Sequence, residues 1–99
     1  MSGSLYVPDL KRASDDQVWF RYKQNEDGVP EVKIYALAGA LQKTISGLGS
    51  RPIGDYDSRS KAIFWDTKDT GGSPLGTGVY YADLYIDSVY YDRMRFTLP

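Results

Sequence analysis

Cysteine and histidine are both absent from this 99-residue chain. Zinc sites built on thiolate or imidazole are thereby excluded, as are Cys–His and Ser–His–Asp catalysis. With no disulfide to mark an oxidising compartment, the chain suits either the cytoplasm or a bacterial surface whose domains stand on packing alone. No apolar run approaches the roughly 20 residues that a spanning helix needs, and no signal peptide is visible. The opening Met1-Ser2-Gly3-Ser4 reads as a flexible linker or scar, leaving residues 5–99 as one domain. If the domain is exported, its signal belongs to a longer parent chain. An excess of either charge is also missing: 12 basic against 13 acidic residues leave −1, and Lys11-Arg12 is cancelled by Asp15-Asp16. No patch that tracks a phosphate backbone follows from this balance. The expected partners therefore include no nucleic acid and no membrane insertion.

Aromatic residues and turn formers are what the chain has in quantity. Nine Tyr, three Phe and two Trp, punctuated by ten Gly and five Pro, favour strands over helices. In QVWFRYK (17–23), Val18, Phe20 and Tyr22 alternate with Trp19, Arg21 and Lys23, the period of a half-buried strand. The turn NEDG follows, with Gly28 able to take a positive φ. A second strand should begin at Glu31 with Val32 and Ile34 inward. ALAGAL (36–41) could form a helix on propensity, but it is short and broken by Gly39, so a turn and then a strand from Leu41 to Ile45 are expected. Residues 46–60 read as loop with a short edge strand near Ile53.

Strand resumes at 61–65, with Ile63 and Trp65 inward. Residues 78–87 should form the longest strand, Tyr80, Ala82, Leu84 and Ile86 facing one way and Gly78 at a positive-φ or close-approach position. After a tight turn at Asp87-Ser88, Met94, Phe96 and Leu98 share one face. Five strands plus one or two at the edges describe an all-β antiparallel sandwich of about seven strands. Its expected core is Phe20, Tyr22, Val32, Ile34, Ile63, Trp65, Tyr80, Leu84, Met94 and Phe96.

Certain blocks also carry a resemblance. EVKIYALAG with LQKTI, then AIFWDTKDTGGSPLGTGVYYADL, then YYDRMRFTL resemble the FlgD-type immunoglobulin-like domain of flagellar hook-capping scaffolds and of the C-termini of secreted bacterial proteins. Ile34-Tyr35 and Gly39 match its first block, although Ala36 stands where Asp is usual. Trp65, Asp66, Asp69, Gly72, Gly78 and Tyr80 match its central block, with Thr67 replacing a customary Gly, and Arg93-Met94 match its last. The entry segment LYVPDLKRASDD and the loop GSRPIGDYDSRS depart from the family pattern. The resemblance implies an immunoglobulin/fibronectin-III-like module at the bacterial cell surface or outside the cell. That module would be a spacer or protein-docking unit of a longer chain, or a flagellar hook-assembly scaffold domain.

The Asp-rich bend DTKDTGG (66–72) admits three readings: a cation site, a phosphate cradle or a turn. It lacks the alternating oxygen ligands and terminal Glu of an EF-hand, and the Gly-Lys-Ser/Thr and following helix of a P-loop. Asp66 and Asp69 are therefore expected to accept backbone N–H bonds in a turn, while remaining the only candidate metal ligands. Trp19, Tyr81, Tyr85 and Tyr91 fall away from the core by alternation, and Tyr56 sits at a loop tip. Such aromatics can stack on sugar rings, dock a protein or pair across strands. The carbohydrate reading would use Trp19, Tyr81 and Tyr85 together. No catalytic residue and no cofactor are expected, because no base–nucleophile pair can be read.

Overall fold

The computed structural model describes residues 3–11 and 17–98. The Arg12, Asp15 and Asp16 part of the charge cancellation, and Met1 and Ser2 of the leader, lie outside the described residues. Among the described residues there is no helix. Those residues form ten strands: β1 (Gly3–Leu5), β2 (Asp9–Lys11), β3 (Gln17–Phe20), β4 (Tyr22–Gln24), β5 (Pro30–Ala36), β6 (Leu41–Ile45), β7 (Gly54–Tyr56), β8 (Ile63–Trp65), β9 (Gly78–Ile86) and β10 (Val89–Leu98). All pairings are antiparallel. The sheets run β10-β9-β5-β6, β2-β3-β8 and β1-β4-β7.

Ten strands exceed the expected seven, and two of them, β3 and β4, are separated by a single residue. Between β3 and β4 stands Arg21, whose carbonyl still accepts the Tyr6 N–H at 2.9 Å. Inward parity survives the interruption, since Val18, Phe20, Tyr22 and Gln24 are all fully buried. The four-stranded sheet has no such gap, only bulges at Tyr90/Asp92 and Ile34/Tyr35. Its longest member is β10 rather than β9, by one residue. Gly3 and Ser4, read from sequence as part of a flexible leader, pair with Gln24 and Lys23 in β1. A Cβ at Gly3 would stand 3.0 Å from Leu84, so that residue is packed against the core.

One apolar cluster joins the three sheets. Phe96 sits at its centre, edge-on to Phe20 at 5.6 Å and to Trp65 at 6.2 Å, with Tyr80 tilted 6.1 Å away. Phe20 and Trp65 stack on each other at 6.2 Å. Aromatic rings in offset or edge arrangements add attraction to the burial of their area. Of the expected core, Tyr80 and Met94 are only partly buried; Leu5, Val18, Ala82, Ile86 and Leu98 complete the cluster.

One glycine reading changes and one holds in part. Gly28 does not need a positive φ; a Cβ there would fall 2.7 Å from Ile86 and 2.8 Å from the Asp87 carboxylate, so close approach is what it serves. Gly78 does take a positive φ, 159°, whereas a Cβ there would meet nothing nearer than 3.9 Å, so of the two expected reasons the backbone conformation holds and close approach does not. The β9–β10 turn places Asp87 and Ser88 at φ of 50° and 65°, the left-handed pair of a two-residue hairpin.

Candidate functional site

Because core and solvent positions alternate on a strand, burying Val32, Ile34, Ala82 and Leu84 forces their neighbours onto the outer face of β10-β9-β5-β6. Register then stacks those neighbours in three rows. Tyr35, Tyr81 and Arg95 form the first. Lys33, Asp83 and Arg93 form the second, and Glu31, Tyr85 and Tyr90 the third.

The middle row ties the face together. Arg93 grips Asp83 through two parallel bonds of 2.7 and 3.0 Å. Its guanidinium also lies 4.8 Å from the Tyr81 ring centre and 5.7 Å from that of Tyr35. The carboxylate is almost wholly buried, its side chain only 6% exposed, whereas Arg93 is 47% exposed. That hydrogen bond raises the Arg93 guanidinium above its ordinary value. Lys33 sits over Tyr85 at 4.6 Å, and Tyr90 meets Tyr85 edge-on at 5.9 Å. Burial pushes the Tyr85 phenol above its usual range, with Tyr35 adding to the effect. The result is a surface of rigid aromatic rings held by cations, the side-chain chemistry enriched at protein-binding hot spots.

Trp19 lies elsewhere. It projects from the outer face of β2-β3-β8, paired in register with Asp9 and Phe64. Arg59 covers its indole at 4.1 Å and is itself held by Asp9 at 2.6 and 3.2 Å. The Trp19, Tyr81 and Tyr85 platform expected for sugar binding is therefore not formed: two sheets separate its members, and a guanidinium already occupies the indole face.

Two further aromatics change role. Tyr56 is not a tip contact but stacks on buried Tyr22 at 4.9 Å and donates its hydroxyl to Pro52. Tyr91 is not on the outer face. The bulge between Tyr90 and Asp92 inserts it as an extra residue, so it packs against the core and donates to Glu26 at 3.2 Å. Alternation counted without a bulge could not show this.

In the Asp-rich bend, Asp66 accepts the Lys68 N–H at 3.1 Å and Asp69 accepts the Ser73 N–H at 2.9 Å. Lys68 turns its carbonyl to the Trp65 indole N–H at 3.0 Å, and Thr67 takes a φ of 66°. Among the described residues, no three acidic side chains gather as a cation site would require. The 46–60 loop has a different anchor that sequence reasoning missed. Fully buried Gln24 donates to the carbonyls of Gly28 and Arg51 at 3.1 and 2.9 Å, and Arg51 reaches the Tyr22 hydroxyl at 3.2 Å. Strict alternation at Val18, Phe20 and Tyr22 was the available signal, because it makes Gln24 the next inward position.

No protein-family model matches the chain, and a search of the curated proteins finds no match either.

Proposed function

We propose that the chain is a non-catalytic, immunoglobulin/fibronectin-III-like β-sandwich module of a larger exported or cell-surface bacterial protein, acting as a protein-docking unit. Joining the strands across their interruptions reduces ten to seven, in two sheets: (β1/β2)-(β3/β4)-(β7/β8) and β10-β9-β5-β6. That division supports the sandwich reading. So does Tyr80, at the start of β9, whose hydroxyl donates to the Gly76 carbonyl 2.7 Å away and four residues upstream, in the manner of a tyrosine corner.

The docking role is carried by the outer face of the four-stranded sheet, where four tyrosines and three cations surround one buried carboxylate. Such rings lose little conformational entropy on binding because their neighbours already hold them. The test pairs Tyr81→Ala with Tyr90→Ala. The double variant should lose binding to the purified neighbouring domains of the parent protein while keeping a cooperative melt. Unaltered binding, or a collapse of the fold without any binding in the wild type, would assign these rings to cross-strand packing alone.

A further inference from the structure

Arg51 is fixed in both backbone and side chain, yet its charge is left without a counter-ion. Its N–H and carbonyl bond Gly28 in both directions, at 2.8 and 3.0 Å, and Gln24 donates to the same carbonyl at 2.9 Å. In the side chain, Nη1 donates to the Tyr22 hydroxyl at 3.2 Å and to the Lys61 carbonyl at 3.1 Å. The guanidinium also lies 5.3 Å from the Tyr56 ring centre. Each of these partner groups is neutral. Among the described residues no carboxylate pairs with Arg51 or with Lys61. Arg51 is nevertheless half-buried, so it has lost hydration that an anion would restore. Both cations line a surface cleft of about 520 Å³, inside the roughly 300–1,000 Å³ span of small-molecule sites. Pro52 and Ile53, the latter 62% exposed, give that cleft an apolar wall. The nearby acids are committed elsewhere: Asp55 accepts the Tyr6 hydroxyl and faces Lys23 in register, Asp27 accepts the Ile53 N–H, and Asp57 pairs with Arg21.

We propose that this cleft binds a monocarboxylate carried on an apolar body. The bonds to Tyr22 and Lys61 use Nη1 alone, and the edge formed by Nε and Nη2 is a planar fork that fits both oxygens of one carboxylate. Because its neighbours already hold the guanidinium, little ordering remains to oppose binding. Lys61 adds a second positive charge, and Pro52 with Ile53 offers contact to the apolar body. Inorganic phosphate is a poorer match, since it has no part that gains from that wall. The carboxylate can belong to a free organic acid or to the C-terminus of a peptide, and the chemistry recognised is the same. The cleft runs along β7, in a different sheet from the tyrosine face, so the inference is independent of the docking reading.

Titration with isocaproate, a branched six-carbon acid, followed by backbone amide NMR shifts, tests it. Signals of Ile53, Gly54 and Lys61 should move with a roughly millimolar Kd, as expected for so small a ligand, while those of Tyr81 and Tyr85 stay fixed. Isocaproamide and inorganic phosphate should each bind at least about fivefold more weakly, having lost the charge or the apolar body. Arg51→Gln should weaken isocaproate about tenfold or more, and Lys61→Gln about two- to fivefold. Lys61 enters the fold through its backbone, so Lys61→Gln supplies the comparison if Arg51→Gln no longer melts cooperatively. A tetrapeptide ending in leucine that binds more tightly than isocaproate identifies a chain terminus as the source; one that binds no better identifies a free acid. The proposal is overturned if isocaproate moves no signal at the cleft, or if the amide or phosphate binds equally well. It is also overturned if folded Lys61→Gln titrates like the wild type.

Discussion

The two outward faces of this molecule use the same ingredients differently. On the four-stranded sheet, Arg93 binds a buried Asp83 and touches two tyrosines, so one cation organises several rings. On β2-β3-β8, Arg59 binds a partly exposed Asp9 and covers a single indole. The first arrangement spreads one cation over two rings; the second lays one cation over a single indole. Continuity of the backbone underlies the contrast. An unbroken sheet presents nine positions in register, whereas a sheet interrupted at Arg21 presents only short rows.

The largest test removes what both faces share. Trp65→Ala should lower unfolding stability by about 3–5 kcal/mol in urea titration, because the indole joins Phe20 to Phe96. Loss of less than about 1 kcal/mol would mean that the sheets hold together without it. Next comes the interrupted sheet. Gln24→Ala should cost about 1–3 kcal/mol, since it removes the bonds holding the turn at Gly28 and the loop at Arg51. Faster amide exchange should then appear at Gly28 and Arg51 before it does in β9.

Arg93→Met probes the intact face. It strands the Asp83 carboxylate, but half of the guanidinium lies in water, so the expected loss is about 1–2 kcal/mol rather than that of a deeply buried pair. The smallest effect belongs to Asp9. Its bond with Arg59 holds the carboxyl below the ordinary value of 3.8. A depressed folded value means that the stabilisation is present above the unfolded value and fades as pH falls through the folded one. Melting between pH 5 and 2 should therefore fall slightly more for the wild type than for Asp9→Asn. Parallel curves would show that the clasp is thermodynamically silent.

Strand class and inward parity were legible because alternation at Val18/Phe20/Tyr22 and at Ala82/Leu84/Ile86 encodes burial directly. What alternation cannot carry is a change of register. The bulge at Tyr91 and the interruption at Arg21 arise where chains meet across the sheet, so neither has a local sequence signal. Tyr56 was similarly hidden, since its partner Tyr22 is distant in sequence and only the pairing of β4 with β7 brings them together. The face built by Tyr81 and Tyr85 could be half seen, but its cations come from β5 and β10 and required the strand order. The β1 pairing at Gly3 and Ser4 was lost because short small-residue segments look alike whether paired or not.

An outermost strand with free backbone groups invites a stranger's strand to add on, the first step toward fibrils. By lending Gln42 both of its donors, Thr70 already occupies one acceptor on β6. The acidic bend thus acts as a guard rail, and shortening it would leave that acceptor open to an added strand.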